Sequence, residues 1–171
     1  MIRTALKSAL CAIILTTAAY AAPGEKATAQ VKDRDGKVLG TITLTETAQG
    51  VLLTGELTQL PPGPHGFHVH AVGKCEAPFA SAGGHFNPDA KKHGFHDAGS
   101  HAGDLTNLHA SADGKVVADV LAVGLTLSGA KGALDQDGAA VVIHAKADDY
   151  KTDPAGDAGD RIACGVVTKA Q

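Results

Sequence analysis

Aromatic residues are scarce in this chain. There is no tryptophan, and two tyrosines and four phenylalanines make up the whole 4% aromatic content of its 171 residues. Lysine and arginine form no stripe either, so a surface that binds nucleic acid by charge and base stacking is excluded. Long apolar runs are missing as well. The run from Ala9 to Leu15 is well short of the ~20 residues a membrane-spanning helix needs. Helical periodicity, internal repeats and low-complexity tracts are absent too, which leaves one domain with a sizeable core and no linker.

The short apolar run has its own meaning. Arg3 and Lys7 precede it, and Ala19-Tyr20-Ala21 follows as a small-x-small cleavage site. This is the layout of a secretory signal peptide over residues 1–21, with residues 22–171 forming the mature domain. An exported, periplasmic location follows, with no membrane attachment once the signal is removed. Cleavage removes Arg3 and Lys7 from the 15 Lys and Arg and none of the 18 Asp and Glu. Thirteen basic groups then face eighteen acidic ones, a net charge of −5. It also removes Cys11, leaving Cys75 and Cys164, an even pair that in an exported protein reads as one disulfide.

The mature chain reads as short strands broken by turns. Thr41-Ile42-Thr43-Leu44-Thr45 alternates as a half-buried strand does, and Asp35-Gly36 and Asp113-Gly114 are hairpin turn pairs. Eight strands are expected, at about 27–33, 38–46, 51–58, 65–72, 103–110, 115–121, 139–146 and 161–168. Many short strands with Gly and Pro turns indicate an all-β sandwich or barrel. Residues 74–102 and 147–160 are poor in apolar residues and rich in Gly, Asp, His and Pro. Loops of that length in a compact domain normally carry a function.

Histidine is the residue in excess, nine in all. His68 and His70 are two apart on an expected strand, so their imidazoles project from one face. A lone pair of this kind is a weak signal. Further on, His85, His93 and His101 recur at intervals of eight, and Asp104 follows three residues later. Three imidazoles and a carboxylate can close a four-coordinate zinc shell, and imidazole also suits copper. His144 ends the apolar run Ala139 to Ile143.

The blocks GFHVH (66–70), GGHFNP (83–88), HAGDL (101–105), VVIHAKADD (141–149) and GDRIACGVV (159–167) occur in this order and spacing. Together they closely resemble the copper–zinc superoxide dismutases, over about residues 27 to 168. The short second loop and the signal peptide resemble the bacterial periplasmic branch. The resemblance implies an eight-stranded Greek-key β-sandwich or barrel of immunoglobulin-like architecture, with two long functional loops. It implies copper on His68, His70, His85 and His144, and zinc on His85, His93, His101 and Asp104, with His85 shared. Asp148 would link a copper histidine to a zinc histidine. Cys75 and Cys164 would tie the metal-bearing loop to the last strand.

The implied reaction converts two superoxide anions and two protons to dioxygen and hydrogen peroxide by redox cycling of copper, with zinc structural. His85 would carry a proton and Arg161 would attract and position the anion. Lys74 and Lys151 are further candidates for steering an anion toward a protein of net negative charge. His65, His96 and His109 have no implied metal role, and His65 is offset by an odd number from His68. A copper or zinc carrier on the same fold is the alternative reading, and a zinc-stabilised adhesion domain is a third. Monomer and homodimer are both compatible with the sequence.

Overall fold

The computed structural model describes residues 24–95 and 99–170. The segment 1–21 and His96 lie outside the described residues. Among these, the strands are β1 (Lys26–Asp33), β2 (Val38–Thr47), β3 (Gly50–Leu57), β4 (Gly63–His65), β5 (Phe67–His70), β6 (Leu108–Ala110), β7 (Val116–Val123), β8 (Ala140–His144) and β9 (Arg161–Lys169). One 3-10 turn, Ala80–Ala82, interrupts the first long loop. The strands β5-β8-β9-β1-β2-β3-β7 form an antiparallel sheet, and β4 pairs with β6 in a second. The all-β class therefore stands as expected.

On β1, β2, β3 and β7 the sequence alternates and so does burial. Ala27, Ala29 and Val31 of β1 point inward with Ile42 and Leu44 of β2, Val51 and Leu53 of β3 and Ala118 and Ala122 of β7. Together with Phe67, Val69, Val141 and Ile143 from the other end of the sheet they form one core, so the sheet curls around it. Each large aliphatic or phenyl side chain so buried stabilises the fold by about 1.5–3 kcal/mol.

β5 and β8 differ from the other strands because every one of their residues is buried. Their inner face supplies Phe67, Val69, Val141 and Ile143 to the core. Their outer face carries His68, His70, Val142 and His144, and the two long loops cover it. A strand buried on both faces is ordinary where the second layer is apolar. Here the second layer is mixed: Val142 packs against Phe79, Ala82 and Cys164, while the histidines are covered by polar loop residues that keep them from water.

The strand expected over 65–72 divides at Gly66, because the pairing partner changes there. His65 pairs with Leu108 of β6, whereas Phe67 pairs with Ile143 of β8. Gly66 itself donates its N–H to Lys146 O at 2.7 Å and accepts from His144 N at 2.8 Å. A Cβ at this position would sit 2.8 Å from the Ala158 methyl. The strand expected from 103 begins only at Leu108. Gly103 and Asp104 are drawn against β5 instead, where Val69 N donates to Gly103 O at 2.9 Å. That approach needs glycine, since a Cβ on residue 103 would lie 2.2 Å from Val69 O. Nine strand segments thus replace eight, without changing the class. Cys75 and Cys164 form the expected disulfide, with a Cα–Cα distance of 5.7 Å, fastening the first long loop to β9.

Candidate metal centre

Two groups of ligand-type side chains meet above β5 and β8. His68, His70, His85 and His144 form one, and His85, His93, His101 and Asp104 the other, with ligand atoms in each group lying within 4.8 Å of one another. All seven residues are at most 8% exposed. β5 supplies the first two histidines, β8 ends on His144, and the first long loop supplies the rest. The isolated bridge between His70 and His85 fastens that loop to β5.

The hydrogen bonds of the first group fix which nitrogen is bare. His70 Nδ1 lies 2.9 Å from Gly83 O and His144 Nδ1 lies 3.1 Å from Gly159 O. A carbonyl can only accept, so the proton is on Nδ1 and Nε2 presents a lone pair. His68 is turned the other way. Its Nε2 lies 2.6 Å from Asp148 Oδ2, which leaves Nδ1 bare. His85 Nδ1 faces the second group, 2.8 Å from Asp104 Oδ1. The four buried side-chain nitrogens without a hydrogen-bond partner among the described residues are His68 Nδ1, His70 Nε2, His85 Nε2 and His144 Nε2. Buried polar atoms are rarely left unpaired, and one cation accepting four lone pairs satisfies all of them.

The second group converges on one oxygen. Asp104 Oδ1 lies 2.8 Å from His85 Nδ1, 3.0 Å from His93 Nδ1 and 3.1 Å from His101 Nδ1. Asp104 Oδ2 is held by the backbone N–H groups of Gly94 at 3.0 Å and His101 at 3.1 Å. Three imidazole nitrogens and one carboxylate are the donor set of a closed zinc site. His85 thus faces both groups, with Nδ1 in one and Nε2 in the other.

The electrostatics of the first group agree with this donor chemistry. Burial lowers the pKa of His70 to about 2, His144 to about 3 and His85 to about 4, so each ring is neutral and able to ligate. Burial acts on His93 in the same sense, but Asp104 and Asp148 outweigh it and push the ring up to about 9. Burial would raise both carboxyl groups, yet both are held well below the usual range. The histidine contacts and a backbone N–H do this, from Gly94 at Asp104 and from Tyr150 at Asp148.

Asp148 joins the two groups through His68 and through a 3.0 Å contact with His93 Nε2. Arg161, at the start of β9, donates from Nη1 to Phe79 O and from Nη2 to Gly83 O, both at 2.6 Å. Gly83 O therefore holds both Arg161 and His70. Arg161 lines a cavity of about 300 Å³ with His70, His85, His101 and His144, and Pro154 and Ala155 of the second loop also line it. Lys74 and Lys151 are exposed and stand outside that lining.

Several contributors carry no signal in the sequence. Arg34 Nε donates to Arg161 O at 2.8 Å. His65 is buried between two carbonyl oxygens, 2.8 Å from His144 O and 2.7 Å from Pro61 O, so it braces a ligand's backbone and leaves the metal face to others. His109 is exposed on β6 and belongs to neither group.

The copper/zinc superoxide dismutase (SODC) family model matches residues 38–167. "Superoxide dismutase [Cu-Zn] 1" of Aquifex aeolicus is 46% identical over 164 residues, covering 93% of this chain and 96% of that protein. The "Superoxide dismutase [Cu-Zn]" of Caulobacter vibrioides is 46% identical over 147 residues, covering 82% and 84%. The solved Cu/Zn superoxide dismutase of Brucella abortus superposes with a TM-score of 0.71 at 33% identity, covering 84% of this chain and all of that one. A donor set that fits two metals, on a fold shared with solved relatives, thus stands beside sequence identity over most of the chain, and the chain belongs to the copper/zinc superoxide dismutase family.

Proposed function

We propose that His68, His70, His85 and His144 hold copper, that His85, His93, His101 and Asp104 hold zinc, and that His85 is the shared ligand. The observation that carries this is the set of four bare, buried nitrogens, one from each copper histidine. As a member of its family the chain is an oxidoreductase with copper and zinc as cofactors and superoxide as substrate. Two superoxide anions and two protons yield one dioxygen and one hydrogen peroxide.

Copper, when bound, supplies the one-electron redox chemistry, and zinc has none of its own. The chain's residues do the rest. The guanidinium of Arg161, locked by two carbonyl oxygens, presents its remaining donors and its charge to the cavity, where a small anion can be oriented. The charge of Arg161 is focused at the cavity wall, where it can attract an anion despite the net negative charge of the chain. His85 Nε2 lines the same space without a protein partner, and it is the atom placed to take up a proton and return it to the reduced substrate. Asp148 and the Gly83 and Gly159 carbonyls keep the other rings in the ligating tautomer.

The N-terminal segment and the disulfide support export with cleavage after Ala21 and a mature chain of residues 22–171. Two variants test the ligand assignment. His85→Ala should deplete both metals and His144→Ala mainly copper, read by elemental analysis. Full copper and zinc in His85→Ala would refute the shared ligand.

A further inference from the structure

Asp148 belongs to neither ligand group, yet it touches both. Its Oδ2 meets His68 and its Oδ1 meets His93, so one carboxylate sets the tautomer of His68 and holds the orientation of His93. Asp148 lies in the second long loop, outside any strand, and a carboxylate on an unanchored loop cannot hold two rings at fixed angles. Its anchor is Asn107. Asn107 Oδ1 accepts from Asp148 N at 2.8 Å, and Asn107 Nδ2 donates to Asp148 O at 2.9 Å. One side chain thus satisfies both backbone groups of Asp148, as a neighbouring strand would. The backbone N–H of Asn107 donates in turn to Tyr150 Oη at 2.7 Å, and Tyr150 N donates to Asp148 Oδ1 at 2.6 Å.

The same anchor reaches the zinc group. Tyr150 O accepts from Phe95 N at 3.1 Å, beside Gly94, whose N–H holds Asp104. Residue 94 passes so close to Tyr150 that a Cβ would lie 2.1 Å from Tyr150 O. Asn107 itself follows Asp104 by three residues, at the entrance to β6. Only a carboxamide offers an acceptor and a donor at that reach, since aspartate lacks the donor and alanine lacks both.

We infer that Asn107 is a positioning residue for this centre: its carboxamide fixes the backbone of Asp148, so that one carboxylate sets the tautomer of His68 while staying in contact with His93, and links the copper group to the zinc group. The inference rests on the ligand assignment above for its metal readouts. Its readout in the metal-free protein stands without that assignment.

The test compares wild type with Asn107→Ala, Asn107→Asp and Val51→Ala. Val51 is fully buried in β3 and absent from the lining of the cavity, so its truncation reports a plain loss of stability. In the metal-free protein, nitrogen-15 NMR of the imidazoles should show His68 protonated at Nε2 in wild type and as a mixture of tautomers in Asn107→Ala. In metal-loaded protein, zinc affinity by chelator competition should fall about 10- to 100-fold in Asn107→Ala. The Cu(II) EPR hyperfine splitting should move as well. Asn107→Asp keeps the shape and the acceptor and should shift all three readouts in the same direction, which serves if the alanine variant does not fold. Val51→Ala should leave the His68 tautomer in place. A wild-type His68 tautomer and zinc affinity in Asn107→Asp or Asn107→Ala would overturn the inference. So would a shift of equal size in Val51→Ala.

Discussion

Removing the disulfide should cost both stability and substrate capture, through separable physical routes. Cys75 and Cys164 are 89 residues apart in sequence. Closing a loop of that length removes chain entropy from the unfolded state equivalent to about 4.6 kcal/mol at 25 °C. For a domain of this size each kcal/mol corresponds to about 2–4 °C, so Cys75→Ala/Cys164→Ala should lower the melting temperature of the metal-free protein by about 9–18 °C. The second route is local. Phe79, Ala82 and Cys164 pack together in a small cluster beside the bridge. The carbonyl of Phe79, four residues from Cys75, and that of Gly83 hold the Arg161 guanidinium. Loosening that loop should lower superoxide capture by loaded protein at temperatures where the fold is intact. Calorimetry on the metal-free variant and superoxide decay on the loaded variant read the two effects separately. A fall of less than 2 °C, with capture unchanged, would refute both the loop-entropy argument and the anchoring of Arg161.

Two further outcomes follow from the site and the N-terminus. The metal-free protein should be most stable near pH 6.5. His70, His144 and His85 have folded pKa values of about 2, 3 and 4 against a usual 6.5, so only the unfolded chain gains protons as pH falls below 6.5, and stability declines. One unit below, each contributes a loss on the order of 1 kcal/mol. His93 acts oppositely: with a folded value of about 9, its contribution is complete below 6.5 and is lost as pH rises toward 9. Denaturant titrations from pH 5 to 9 check this, and stability that rises from pH 6.5 to 5 would contradict it. The exported protein should have an intact mass that begins at Ala22 and includes one disulfide, and a mass retaining residues 1–21 would overturn the cleavage argument.

How far the sequence disclosed this centre depended on the kind of contact. His68 and His70 were legible because a strand places alternate residues on one face. Asp104 and the three loop histidines were legible from their spacing and the resemblance of their blocks to a known family. The all-β class followed from alternation on β1, β2 and β3 and from the turn pairs. What stayed hidden were contacts between a side chain and a distant backbone. Asn107 gripping Asp148, His65 bracing His144, and Arg34 and the Gly83 carbonyl fixing Arg161 leave no periodicity or spacing to read. The division at Gly66 was hidden for a related reason. Residues 65–72 alternate as one strand would, and only the tertiary pairing assigns β4 to β6 and β5 to β8.

The measurement that tests the account most directly is the decay of pulse-generated superoxide over wild type and Arg161→Ala, both loaded with copper and zinc, across a range of ionic strength. The screening length at 0.15 M is only about 8 Å, so focused capture by wild type should slow as salt rises. Arg161→Ala, with unchanged metal content, should be slower at low salt and less sensitive to it. Arg161→Lys should keep much of the attraction and lose some of the positioning. Equal rates for wild type and Arg161→Ala at every salt concentration would contradict the account and leave Lys74 and Lys151 as the cations to examine.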